Sequence, residues 1–148
     1  MNKTVQQLVE RLKLLPHPEG GYYRETYRSP ENHSTAIYFL LTSGNFSALH
    51  RIPQDEVWHF YQGSPVYVHV IDKDGNYIRN IVSADNPQLV VKGGDWFGAS
   101  VVEPDSYSLV GCTVAPAFEF TGFELAKRDH LTSMYPEHED LIASLTRG

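Results

Sequence analysis

The feature that most constrains this chain is a series of short apolar-rich runs, broken at close and regular intervals by turn residues. The runs cover about 35–42, 46–52, 56–62, 65–71, 77–83, 88–92, 95–101, 107–114 and 118–126. Between them stand Thr42-Ser43-Gly44-Asn45, Gly63-Ser64-Pro65, Asp72 to Asn76, Ala84 to Pro87, Gly93-Gly94 and Pro104-Asp105. Gly supplies positive φ, Pro fixes φ, and Asn, Asp and Ser bond their own backbone, so each cluster turns the chain. Short strands in such succession, with almost no helix between them, must pair antiparallel and stack or close. The expectation is an all-β sandwich or barrel. Nine Tyr and seven Phe suit the pleated, half-buried surfaces this requires.

Both ends read differently. Residues 4–15 are expected to form a short helix, with Thr4 and Gln7 as a capping box, Val5, Leu8, Val9, Leu12 and Leu15 at helical spacing, and Pro16 and Pro18 as the stop. Gly20-Gly21 then permits a turn, and Tyr22 to Tyr27 alternates like a strand. A second helix is expected from Pro136, with Leu141, Ile142 and Leu145 on its apolar face. No repeat or linker interrupts the chain, so 1–148 reads as one domain. A net charge of -6 with 12 Lys+Arg argues against a nucleic-acid partner. The charged start and the lack of a run of ~20 apolar residues argue against a signal peptide or a membrane partner, so a cytoplasmic protein is expected. One cysteine, Cys112, allows no internal disulfide and reads as a small buried hydrophobe.

The chemistry concentrates in GNFSALHRIPQDEVWHFYQG, residues 44–63. Gly44, His50, Glu56 and Gly63 are spaced as in G-x5-H-x-H-x3,4-E-x6-G, with Ile52 in place of the second His. Residues two apart on a strand share a face, and the turn at Pro53 returns Glu56 on the neighbouring strand, so His50, Ile52 and Glu56 are expected to converge inside the barrel. This stretch resembles the first motif of the cupin superfamily. Gly94-Asp95 resembles the start of the second motif, G-x5-P-x-G-x2-H-x3-N, but no His lies between His69 and His130. Lengthening the Val101–Ser106 turn puts Ser108 at the His position and Cys112 at the Asn. The segments HPEGGYYRETYRS, STAIYFLLTSG, GGDWFGAS and SLVGCTVAPAFEFTGFELA extend the likeness to one cupin family across 17–126.

The resemblance implies an RmlC-like cupin jelly-roll β-barrel with short helices at its ends, paired as a homodimer, and no established activity. The usual site of the superfamily holds a divalent ion on three His and one Glu. Here only His50 and Glu56 remain as metal ligands, fewer than the three or four such ions take, so a metal-free site is the expectation. His59 lies an odd number of residues from Glu56 and is expected to face away. His50 and Glu56 are the expected catalytic pair, with His50 as the acid/base group. Trp58, Phe60, His69, Trp96 and Ser108 are the expected ligand-binding side chains, His69 on condition that the chain closes as a tight hairpin at Gly63-Ser64. Glu19, Arg24 and Glu25 read equally well as a surface turn and strand or as a closure of the barrel mouth or a dimer contact. The functional expectation is a small-molecule-binding protein, an epimerase or isomerase of a carbohydrate-like or nucleotide-like ligand. The alternatives are a metal-dependent dioxygenase or isomerase and a non-catalytic binding module.

Overall fold

A computed structural model describes residues 2–148. Helix α1 (Lys3–Leu12) begins at Asn2, whose side chain accepts the Val5 N–H at 2.8 Å, and ends where Lys13 takes a left-handed conformation at φ 57°. The cap is therefore Asn2 and not the expected Thr4, which lies inside the first turn. The strands follow in order: β1 (Leu15–Pro16), β2 (Tyr22–Arg28), β3 (Thr35–Thr42), β4 (Phe46–Arg51), β5 (Asp55–Gly63), β6 (Val66–Ile71), β7 (Tyr77–Val82), β8 (Gln88–Val91), β9 (Trp96–Val101) and β10 (Tyr107–Ala115). A two-residue β11 (Glu124–Leu125), then α2 (Arg128–Met134) and α3 (Glu139–Ser144), complete the chain.

Among the described residues these strands form two antiparallel sheets, ordered β1-β2-β3-β10-β5-β8 and β11-β4-β9-β6-β7. The sheets face each other across a core of Phe39, Leu41, Trp58, Val68, Phe97 and Val110, among others. Alternation decides which side chains reach it. Val66, Val68 and Val70 of β6 point inward, while Ile71 joins a second cluster with Leu49, Trp96, Leu131, Ile142 and Leu145. That cluster lies on the outer face of the second sheet and is roofed by α2 and α3. A third cluster packs Val5 and Leu8 of α1 on Leu40 and Leu109.

Two expected elements differ. Residues 118–126 do not form a strand: Phe120–Gly122 is a 3-10 turn, and only Glu124–Leu125 pairs, with Arg51 and His50 of β4. The apolar residues that imitate a strand, Phe118, Phe120 and Phe123, instead pack on one another as a ring cluster. The tail holds a further helix, α2, before Pro136, which opens a 3-10 turn leading into α3. No helix among the described residues is long and apolar enough to cross a membrane.

Ile142 is fully buried between α3 and the outer face of the second sheet. Truncation to Ala leaves a cavity there and is expected to lower stability by about 2–5 kcal/mol. A urea titration monitored by tryptophan fluorescence measures the loss, and a cost near zero would show that the helical tail adds nothing to the fold.

Candidate functional site

The two sheets leave between them a cavity of about 240 Å³ at one end of the core. Its polar wall is built from three segments distant in sequence: the turn after β1, strand β4, and strands β5 and β10 side by side. The turn is the least replaceable. His17 donates its N–H to the Gly21 carbonyl and Gly20 donates to the His17 carbonyl, closing a tight loop. Gly20 sits at φ 111°, and a Cβ there would lie 2.1 Å from the Phe46 carbonyl oxygen, so only glycine allows the turn this close to β4.

The close approach inserts Glu19 beside His50. Both are buried, and Glu19 Oε2 lies 2.7 Å from His50 Nε2, a close charged contact. On its other side His50 Nδ1 lies 2.7 Å from the Ala48 carbonyl oxygen. A carbonyl can only accept, and a carboxylate repels a ring lone pair, so both nitrogens carry protons and His50 is an imidazolium. Burial works against that charge, but Glu19 and the Ala48 carbonyl outweigh it and hold the His50 pKa above its ordinary value. For Glu19, burial is likewise outweighed by His50, and its pKa is lowered.

His17 behaves differently. Its Nδ1 accepts the Glu19 backbone N–H at 3.1 Å, which puts its proton on Nε2. Burial lowers its pKa and keeps it neutral, so the 3.7 Å approach of Nδ1 to Glu19 Oε1 is not an ion pair.

Glu56 stands on β5, half-buried at the cavity wall. Burial raises its pKa to about 7, against the pull of His50 and with the repulsion of Glu19. The Cys112 thiol and the Trp58 indole N–H lie beside it and favour the carboxylate. The indole N–H has no full hydrogen bond of its own among the described residues. The Cys112 thiol is pushed up by burial and by Glu56 and stays protonated. Phe39, Phe118, Phe120 and Phe123 complete the walls. Phe123 from the wall and Phe97 from the core flank the His50 imidazole at 5.3 and 4.1 Å between centroids. At the mouth Arg28 donates to Glu25 at 2.9 Å, to Glu119 at 3.2 Å and to the Phe118 carbonyl at 2.8 Å, which ties the phenylalanine loop to β2.

Of the residues expected at the site, His50, Glu56 and Trp58 line the cavity together. Four do not. Phe60 faces inward but packs into the core beyond the cavity. His69 points out of the second sheet, with Nδ1 2.8 Å from the Tyr77 hydroxyl and Nε2 2.8 Å from Ser100 Oγ. The hairpin that would have turned it inward does not form, because Ser64-Pro65 carries the chain from one sheet to the other. Trp96 lies under α2 and α3, with the Arg51 guanidinium 4.4 Å from its ring centre. Ser108 is buried and donates to the Ser64 carbonyl at 2.7 Å, a link within the fold. His59 faces the opposite side of β5 from Glu56, 3.2 Å from Thr113. Sequence spacing does not single out His17 or Arg28 and leaves Glu19 open between a surface turn and a closure of the mouth; the signal for Glu19 is the Gly20-Gly21 pair, which marks a backbone built for close approach.

The residues present do not fit the divalent ion of the usual cupin site. His50 has no free lone pair, since both its nitrogens act as donors, and Ile52 turns hydrocarbon toward the cavity. Among the described residues no three His, Cys, Asp or Glu side chains are placed to hold a metal ion.

Residues 6–126 match the family described as cupin superfamily (DUF985). The solved structure of protein SO0799 from Shewanella oneidensis is similar over 96% of both chains, at 35% identity and a TM-score of 0.91. A hypothetical protein from Leishmania major is similar over 97% of this chain and 98% of its own, at 36% identity and a TM-score of 0.90. The uncharacterized protein YML079W of Saccharomyces cerevisiae is 27% identical over 79% of this chain and 72% of its own.

The raised pKa of Glu56 makes folding pH-dependent. Below its ordinary value of 4.5 the carboxyl is protonated in folded and unfolded chains alike. As pH rises from there, the unfolded chain releases the proton first, so this group's contribution falls until about pH 7 and then levels. Glu56→Gln removes that slope, and its stability relative to the parent protein should climb by roughly 3 kcal/mol between acidic and mildly alkaline pH, at about 1.4 kcal/mol per pKa unit. Urea unfolding of both proteins across that range tests this; parallel curves would mean that Glu56 titrates as it does in water.

Proposed function

The chain belongs to the cupin superfamily (DUF985), and we propose that it uses the fold as a metal-independent acid–base site, isomerising a small carbohydrate-like carbonyl compound. The observation that carries this reading is the pairing of Glu56, a carboxyl with a pKa of about 7, with the fixed imidazolium of His50 in one aromatic-walled cavity. A general base works best when its pKa lies near the working pH. The two carboxyls of the cavity are driven in different directions, Glu19 down and Glu56 up, which marks a division of roles.

In this reading Glu56, as carboxylate, removes the proton from the carbon next to the substrate carbonyl. The electron pair moves to the carbonyl oxygen, and the enolate is stabilised by the field of His50 and by the Trp58 N–H, which makes no full hydrogen bond among the described residues. The proton of the neighbouring hydroxyl passes to that oxygen, giving an enediolate, and the Glu56 acid returns its proton to the former carbonyl carbon as the carbonyl forms at the neighbouring one, which completes a 1,2-shift with one carbon base. His50 is thus the electrostatic partner, since both its nitrogens are engaged, and the acid/base role expected of it passes to Glu56. A cavity of about 240 Å³ suits a sugar-sized ligand better than a nucleotide, and the phenyl rings offer faces for the apolar side of a sugar. The neutral His17, with its proton on Nε2, adds a donor at the same wall.

Incubation of the protein with a panel of aldoses and ketoses in deuterium oxide tests the proposal by proton NMR. Deuterium should enter at the carbon beside the carbonyl, with a rate that rises through a midpoint near pH 7 and falls roughly 100-fold or more in Glu56→Gln. Saturable binding without exchange by any panel member would make the protein a binding module instead.

A further inference from the structure

The Glu19–His50 pair is held from behind by a residue that does not line the cavity. Arg147 donates from one guanidinium nitrogen to the Glu19 carbonyl at 2.9 Å. From the other it donates to Asn45 Oδ1 at 2.8 Å and to the Phe46 carbonyl at 2.9 Å, while the guanidinium lies 4.0 Å from the Phe46 ring centre. One cation thus bridges the turn that carries Glu19 and the start of the strand that carries His50. The segment before Arg147 is itself anchored: Leu49 donates its N–H to the Leu145 carbonyl at 2.8 Å, and Arg128 binds the Thr146 hydroxyl at 2.8 Å.

The partner of this clamp is Ala48. Its N–H donates to the Glu19 carbonyl at 2.7 Å, and its carbonyl accepts the hydrogen bond from His50 Nδ1. The Glu19 carbonyl therefore has two donors, one from β4 and one from Arg147. Removing the Arg147 donor leaves the turn tied to β4 by Ala48 alone on that side.

We propose that Arg147 is a positioning residue, which fixes the Glu19 carboxylate against His50 by clamping the Glu19 backbone to β4. The proposal rests on the reading of that pair as the charged element of the site. Arg147 touches neither the cavity nor the Glu19 carboxylate. Its effect travels through backbone geometry, and a charge-assisted contact at 2.7 Å is lost when one partner shifts beyond hydrogen-bond reach and water enters between them. The titratable groups that face His50 are Glu19 and His17 from the turn and Glu56 from β5, and only Glu19 and His17 ride on the segment that Arg147 holds.

The test is the titration of the His50 ring followed by nitrogen–proton NMR, its signal assigned by loss in His50→Gln. In the parent protein the His50 midpoint should lie above the ordinary 6.5. Arg147→Ala should lower it by about one unit or more, a tenfold change in proton affinity, and Arg147→Lys should restore part of the shift. Val5→Ala, which costs stability in the α1 cluster away from the clamp, should leave the midpoint in place. A parent midpoint at or below 6.5 would overturn the reading of the ion pair itself. A raised parent midpoint that Arg147→Ala does not move, or that Val5→Ala moves equally, would overturn the role of Arg147 alone.

Discussion

The arrangement of the cavity depends on the buried contact between Glu19 and His50. Two charges taken out of water cost several kcal/mol each, and their attraction recovers this only with close geometry and further hydrogen bonds. Here the approach is 2.7 Å, and the remaining ring proton is met by the Ala48 carbonyl. The same residue's N–H holds the Glu19 backbone, so both members of the pair are referenced to one point on β4. The glycine turn follows from this requirement. Glu19 reaches His50 only because Gly20 lets the backbone press against Phe46.

That contact also explains why two carboxyls in one cavity differ. Glu19 touches the imidazolium, and the attraction outweighs its burial. Glu56 is also disfavoured by burial, but it has no hydrogen bond to His50, and the ionised Glu19 repels it. One pKa falls while the other rises to about 7. The separation comes from placement, since both residues are glutamates. Two ordinary carboxylates in water would both be ionised at neutral pH, and neither would carry a proton.

The strands were legible because their ends are written locally, in Gly, Pro, Asn and Asp, and the observed β3 to β10 begin and end within about two residues of the expected runs. His50 and Glu56 were legible for the same reason: one turn at Pro53 joins their strands, so spacing determines their meeting. The facing of Trp96 and His69 was not legible, because it depends on which sheet each strand joins. Both belong to the second sheet, whose outer face is covered at Trp96 by helices, one of which the sequence pattern did not reveal. Residues 118–126 deceived in the other direction. The segment is as aromatic as a strand, but its alternation breaks at Thr121-Gly122, the phenylalanines cluster on one another in a loop, and pairing is confined to Glu124–Leu125. Glu19 joins His50 across a long stretch of chain, and nothing in local spacing encodes that meeting.

Ile52 gives the substitution in the cupin motif a physical meaning. A metal site needs lone pairs converging on one point. In this cavity, hydrocarbon fills one such place, and the imidazole that remains presents protons instead. The positive centre is therefore the imidazolium, held by its carboxylate partner. Such a centre differs from an ion in one decisive way: its charge depends on a proton, and thus on the geometry that raises its pKa. A metal site keeps its charge when a neighbouring loop shifts; this one loses it. The structure accordingly spends backbone hydrogen bonds from Ala48 and side-chain hydrogen bonds from Arg147 on the turn behind Glu19. Rigidity behind the cavity is what a protonic charge requires.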